Sequence, residues 1–128
     1  MDKDFEFLLS IATDLAKIKK RLNRHVKMAS VACALMSENR NIYTGVNIEV
    51  DCGIGFCAEH SAIAEMIKND ENKIYKLVAV RQSIVIQPCG RCREFIRLIN
   101  FENLNALILM PEGKILKLKE LLPYPFLC

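Results

Sequence analysis

The sequence has no uncharged apolar stretch approaching the roughly 20 residues that span a bilayer, so no transmembrane helix and no membrane partner are expected. Neither sign of charge dominates: eighteen Lys and Arg stand against fifteen Asp and Glu. The resulting net charge of +3 is too mild to argue for nucleic acid as a partner. The opening Met1-Asp2-Lys3-Asp4 lacks the charged-then-apolar pattern of a secretory signal, which makes a cytoplasmic location the expectation. Internal repeats, linkers and low-complexity segments are also missing. With 52% apolar and 26% charged residues, the 128 residues read as one packed domain spanning 1–128.

Cysteine is the residue type in evident supply, at positions 33, 52, 57, 89, 92 and 128. A disulfide framework would suit a small secreted domain, but no signal pattern is present and the core is large enough without staples. Cys89 and Cys92 sit three apart, the spacing of a metal pair or of a redox pair in a reducing compartment.

Hydrophobic spacing outlines the elements. Phe5, Leu8, Leu9, Ala12, Leu15, Ala16 and Leu22 recur at helical intervals, predicting an amphipathic helix over 4–23 capped by Asp2 or Asp4. Its cationic end (Lys17, Lys19, Lys20, Arg21, Arg24 and Lys27) has no interleaved aromatics and reads as a solvated helix C-terminus rather than a phosphate-binding patch. Residues 28–36 and 41–48 form an expected hairpin around a polar turn. A loop with Gly53 and Gly55 follows, and then a helix over 57–68. A strand over 76–86, a short helix from the Pro88–Cys92 segment to about Ile99, and a strand over 105–110 complete the order. Two prolines keep the apolar tail from continuing as a regular helix. Strands alternating with helices predict an α/β fold.

Two segments carry chemistry: Cys57-Ala58-Glu59 and Pro88-Cys89-Gly90-Arg91-Cys92, each opening a helix. On a first helical turn the sulfurs of Cys89 and Cys92 lie on the same side, and Cys57 can add a third thiolate from the other helix. Three protein ligands leave one tetrahedral position open, as catalytic zinc requires. Helix N-termini also help hold thiolates ionised. In mid-helix Cys57 and Glu59 would point roughly 200° apart, but at a helix tip both converge just beyond its end. There a carboxylate that does not bind the metal can act as general acid and base. Two alternatives stay open: a closed structural site with a fourth ligand from Cys52, Cys33 or Cys128, and a redox pair that leaves Cys57 without a role.

The combination Cys57-Ala58-Glu59 with Pro88-Cys89-Gly90-Arg91-Cys92-Arg93 resembles the cytidine deaminase superfamily. Thr44-Gly45-Val46-Asn47-Ile48-Glu49 is similar to a strand end of its compact free-nucleoside members, and Leu121-Leu122-Pro123-Tyr124-Pro125-Phe126 to their tail. The resemblance implies a three-layer α/β/α sandwich with a mixed, roughly five-stranded sheet, and a homotetramer whose active sites are shared between subunits. It implies one zinc ion per subunit on Cys57, Cys89 and Cys92, with Glu59 as the proton shuttle. Asn47, Glu49 and Ala58 would contact the substrate, the first two through the ribose hydroxyls. The implied reaction converts cytidine or deoxycytidine to the uridine form and ammonia, a step of pyrimidine salvage.

Two departures from the family pattern bear on the substrate. His60 stands where compact members usually have arginine after the C-A-E triplet; His60, Arg91 and Arg93 are therefore candidates to offset the negative zinc–thiolate centre. Ala29 stands where a phenylalanine would face the pyrimidine, leaving Phe56, Tyr124 and Phe126 as candidate stacking residues. Both losses point toward the blasticidin S deaminases, which are similar at Ser30-Val31-Ala32-Cys33-Ala34, at Thr44-Gly45-Val46-Asn47 and at Pro88-Cys89-Gly90-Arg91-Cys92-Arg93, and whose substrate is a modified cytosine nucleoside. Glu49 favours a simple ribose or deoxyribose. A zinc-stabilised binding module without turnover is the reading from a different class.

Overall fold

The computed structural model describes residues 1–126. In chain order the elements are α1 (Lys3–Ala16), β1 (Lys20–Asn23), β2 (Val26–Ser37), β3 (Ile42–Val50), α2 (Ala58–Lys68), β4 (Ile74–Arg81), β5 (Ile84–Ile86), α3 (Gly90–Ile99), β6 (Leu107–Leu109), β7 (Ile115–Lys117) and α4 (Leu118–Leu121). Among the described residues seven strands join one mixed sheet, in which only the β4–β6 pairing is parallel. β3 lies along one side of β2. The other side of β2 is shared end to end by β1, opposite Val26–Met28, and β4, opposite Ala32–Ser37. At the changeover the β2–β3 register shifts and Ala29 takes a left-handed φ of 61°.

Alternation along the central strands divides the core into two layers, as a side-chain period of two requires. Ala32, Ala34 and Met36 of β2 with Val78 and Val80 of β4 meet Phe5, Leu8, Ala12 and Ala16 of α1. Cys33 and Leu35 with Leu77 and Ile108 face the other way, onto Ala58, Ala62, Ile63 and Met66 of α2 and Ile96 of α3. The α/β/α sandwich is therefore the one expected. The sheet has seven strands rather than five, the additions being the short β1 and β5.

Both additions correct the element boundaries. The first helix stops at Ala16, and the segment read as its cationic end turns and forms β1, every residue of which is exposed. Ile18 and Leu22 keep the helical spacing yet bury no helix face, because the cations around them demand solvent. The strand expected over 76–86 folds back on itself at Gln82 and Ser83, pairing Arg81 with Ile84. Gln82 supplies the left-handed turn conformation, with φ 57°, so no glycine marked the reversal.

Two contacts fix the layers that hold the site. Gly45 of β3 lies against the first turns of α2: a Cβ there would come within 2.4 Å of the Ala62 nitrogen. Only glycine lets β3 seat α2 this closely. On the opposite rim, Glu71 receives the Tyr43 hydroxyl at 2.5 Å and the Asn39 and Asn41 amides at 2.9 Å each, tying the β2–β3 turn to the end of α2. The Tyr43 bond, first, and then Asn41 bring the Glu71 pKa down from 4.5 to about 2.

Gly45→Ala should cost about 1–3 kcal/mol through displacement of α2, and should lower zinc occupancy as well, since α2 carries Cys57. An unchanged melting temperature would contradict this close approach. Because the folded pKa of Glu71 is depressed, its contribution is complete above about pH 4.5 and lost as the pH falls toward about 2. The melting-temperature advantage of the wild type over Glu71→Gln should shrink over that window. A difference independent of pH would show that the carboxylate charge contributes nothing.

Candidate active site

α2 and α3 begin side by side, and a cysteine is the N-cap of each: Cys57 for α2 and Cys89 for α3, both with extended backbone. Cys92 follows on the first turn of α3. Cys57 Sγ lies 3.9 Å from Cys89 Sγ, which lies 3.6 Å from Cys92 Sγ. All three sulfurs fall within 4.8 Å of one another, and no other His, Cys, Asp or Glu among the described residues joins the group. Cys33 is fully buried in the core and Cys52 is exposed on the loop after β3. Cys128 lies outside the described residues.

The donor set fits zinc. Sulfurs held about 2.3 Å from one tetrahedral ion are about 3.8 Å apart, close to both measured separations. Ionisation behaves accordingly. Burial, and then the Glu59 carboxylate, push the Cys92 thiol far up. Burial also raises Cys57, against a hydrogen bond from Cys92. Cys89 alone comes down: burial opposes its ionisation, but the Cys92 backbone N–H and the neighbouring thiols outweigh it. Three thiolates in one half-buried pocket need a cation, so the group belongs to a metal rather than to a redox pair.

A cavity of about 710 Å³ opens beside the sulfurs, its lining including Cys57, Cys89, Ala58, Glu59, Asn47 and Glu49. Glu59 is 4% exposed, and burial, first, raises its pKa. It stands next to Cys92 but outside the three-sulfur group. Asn47 is buried and accepts the Val31 N–H through Oδ1 at 2.9 Å. That bond orients the amide and closes the β2 bulge. Glu49 is exposed; the Ser30 hydroxyl, then Lys27, Asn47 and Lys19 outweigh its partial desolvation and hold it below the usual carboxylate value.

The candidates for charge compensation separate. His60 Nδ1 lies 3.7 Å from Cys92 Sγ, and its ring stacks on Phe95 at 4.2 Å and 16°. Burial, then Arg91, lower its pKa and so disfavour its positive charge beside Cys92. Arg91 lines the cavity. Arg93 is off the cavity wall: its guanidinium bonds the Pro88 carbonyl at 2.8 Å and the Leu121 carbonyl at 3.0 Å, buttressing the α3 entry. The stacking candidates separate too. Phe56, bridged to Ile48 across the loop, is the one aromatic on the cavity wall among the described residues. Tyr124 and Phe126 are exposed and do not line this cavity within the chain, the tail running past α3, where Arg97 and Glu94 hold the Phe126 backbone. Ala29 is buried and off the wall.

Sequence reasoning missed Arg81, Ile86 and Gln87, all on the wall. The only available signal was a charged residue interrupting a β-branched run, and reading 76–86 as one strand concealed it.

A tetrahedral site with three protein ligands and an adjacent unliganded carboxylate defines a zinc-dependent hydrolytic deaminase when set in this sandwich. Known proteins agree. A family profile described as "Cytidine and deoxycytidylate deaminase zinc-binding region" matches residues 3–108. The blasticidin-S deaminase of Bacillus cereus is 29% identical over 131 residues, 93% of this chain and 89% of its own. The cytidine deaminase of Mycoplasma genitalium is 36% identical over 87 residues, 66% of each chain. The crystal structure of cytidine deaminase from Mycobacterium tuberculosis has a TM-score of 0.81 at 25% identity, covering 99% of this chain and 100% of that one. The chain belongs to the cytidine and deoxycytidylate deaminase family.

Zinc titration should saturate at one ion per chain, release protons into weak buffer and tighten as the pH rises. Cys57→Ser should lose that ion and Cys52→Ala keep it. Loss of zinc from Cys52→Ala would place a fourth sulfur in the site.

Proposed function

We propose that the chain deaminates a free cytosine nucleoside, cytidine or deoxycytidine, to the uridine form with release of ammonia. The observation that carries the proposal is Glu59, buried on the wall of the cavity that Cys57 and Cys89 enter, yet outside their metal-holding group. A structural zinc module has no use for such a carboxylate.

Zinc on Cys57, Cys89 and Cys92 would supply the Lewis acidity that makes water a nucleophile at neutral pH. Glu59 accepts a proton from the water that adds to pyrimidine C4 and delivers it to ring N3. It then passes a second proton to the amine, which leaves as ammonia while C4 becomes a carbonyl. Burial raises the Glu59 pKa toward the working range of such a shuttle. Asn47 and Glu49 bind the ribose hydroxyls, a role that suits an amide and a carboxylate. Ala58, with nothing beyond its Cβ, leaves the pyrimidine room beside the α2 N-terminus, and Phe56 gives it a face to stack on. His60 and Arg91 offset the negative zinc–thiolate centre, one by an N–H and the other by its charge.

The second reading is deamination of blasticidin S. It is favoured by the 29% identity to a blasticidin-S deaminase across most of the chain and by the missing ring at Ala29. Glu49 speaks for the ribose nucleosides. We also infer a homotetramer with shared sites, a cytoplasmic location and a role in pyrimidine salvage. Exposed Ile54, Phe56 and Ile84 beside the cavity support the association.

Incubation with cytidine, deoxycytidine and blasticidin S, followed by ultraviolet absorbance, should show loss of the amine fastest for a ribose nucleoside. Glu59→Gln should keep fold and zinc while turnover falls roughly 10²- to 10⁴-fold. Parallel loss of zinc would make Glu59 a ligand, and no turnover of any substrate by zinc-loaded wild type would leave a binding module.

A further inference from the structure

Of the two polar side chains that β3 offers the sugar, one is anchored and the other is not. Asn47 is buried, and the Val31 N–H fixes its amide at 2.9 Å. Glu49 lies two residues on, hence on the same face of the strand, but it is exposed. Its charged neighbours are ammonium groups on flexible stems: Lys27, opposite it in the strand pairing, and Lys19. An exposed glutamate keeps rotamer freedom, which a ligand must freeze on binding.

An uncommitted donor stands beside it. Ser30 is 9% exposed, and its Oγ is buried without completing a hydrogen bond among the described residues. Glu94 Oε2 and Arg97 Nε share that condition, but both lie on α3, where those residues hold the tail. Ser30 alone of the three adjoins the cavity, as the residue before Val31 on its wall. The β2 bulge puts it there. Between the Met28–Ile48 and Ala32–Val46 pairs, β2 carries Ala29, Ser30 and Val31 where β3 has only Asn47. Left-handed Ala29 turns the chain, and Ser30 sits at the middle of the bulge. Its hydroxyl comes close enough to Glu49 to be the first cause of that carboxylate's lowered pKa. A buried hydroxyl without a partner is rare and destabilising, and Glu49 is an acceptor within its reach.

We propose that Ser30 is a positioning residue: in the substrate complex its hydroxyl donates to the Glu49 carboxylate and sets that carboxylate toward the ribose hydroxyls. The inference rests on the deaminase reading and deepens it. The bulge then acts on both sugar-binding side chains, on Asn47 through the Val31 N–H and on Glu49 through Ser30. Preorganising an exposed carboxylate strengthens sugar binding without touching the reacting carbon, so the effect falls on KM rather than kcat.

The test measures kcat and KM for cytidine and 2′,3′-dideoxycytidine in wild type, Ser30→Ala, Glu49→Ala and the double variant. Ser30→Ala should raise KM for cytidine roughly 10-fold at near-constant kcat. The dideoxy substrate, which offers Glu49 no 2′ or 3′ hydroxyl, should be unaffected. Ser30→Thr, which keeps the hydroxyl, should return most of the loss. With Glu49→Ala already in place, Ser30→Ala should have no further effect. A loss that persists without Glu49 means that Ser30 meets the substrate itself, and an equal loss for both substrates means packing; either overturns the proposal. So does a Ser30→Ala chain that melts well below the wild type, since removing a hydroxyl without a partner should not weaken the fold. Calorimetric binding of uridine and 2′,3′-dideoxyuridine to the zinc-loaded protein reads the same cycle without turnover. A uridine affinity that drops in Ser30→Ala only while Glu49 is present supports the positioning role even if no substrate is deaminated. Uridine affinity unchanged by Ser30→Ala refutes that role and leaves the deaminase reading intact.

Discussion

The structure turns on the meeting of two helix N-termini. α2 and α3 come from different parts of the chain, and each begins with a cysteine where a hydrogen-bonding cap residue would otherwise stand. Capping is surrendered at both ends, at a cost typical of a lost N-cap of about 1 kcal/mol each. In exchange, three sulfurs converge at the spacing of a tetrahedral zinc site. The thiols do not ionise together unaided, because burial and a neighbouring carboxylate oppose it. The metal is thus part of the fold's electrostatics as well as of its chemistry.

The sandwich serves this meeting. β3 carries Asn47 and Glu49 along one wall of the cavity, while Gly45, two residues earlier, lets the same strand press against α2. One strand therefore sets both the seat of α2 and the polar groups of the cavity wall. The β2 bulge at residues 29–31 does the complementary work: it interrupts the ladder, gives the Val31 N–H to Asn47, and marks the level at which β1 gives way to β4. Bulges of this kind commonly re-aim side chains beside active sites.

Much of this was legible in the sequence because local chemistry and global role coincided. The cysteine triad, Glu59, Asn47 and Glu49 lie on short segments whose spacing is fixed by a helix start or a strand end, and all but the buried Cys92 line one cavity. Asp2 caps α1 as its position promised, with Oδ1 accepting the Phe5 N–H. What escaped had no local sign. β1 continues the helical spacing of α1 through Leu22, and only the solvation of its cations decides against a helix. The reversal at Gln82 uses a left-handed glutamine where a turn would ordinarily announce itself with glycine or asparagine. With that turn unseen, Arg81 read as strand rather than cavity wall. The bonds of Arg93 and of the tail had no local sign for another reason: their partners lie across the chain, on α3 and the residues around Leu121, where adjacency in sequence gives no guide.

The account stands on an ion held by three sulfurs with its fourth position free of protein. X-ray absorption at the zinc edge of the metal-loaded protein reads that coordination directly. Three sulfur scatterers near 2.3 Å and a single oxygen near 2.0 Å are predicted, within about 0.1 Å. A shell of four sulfurs would contradict the account and return the chain to the structural zinc proteins.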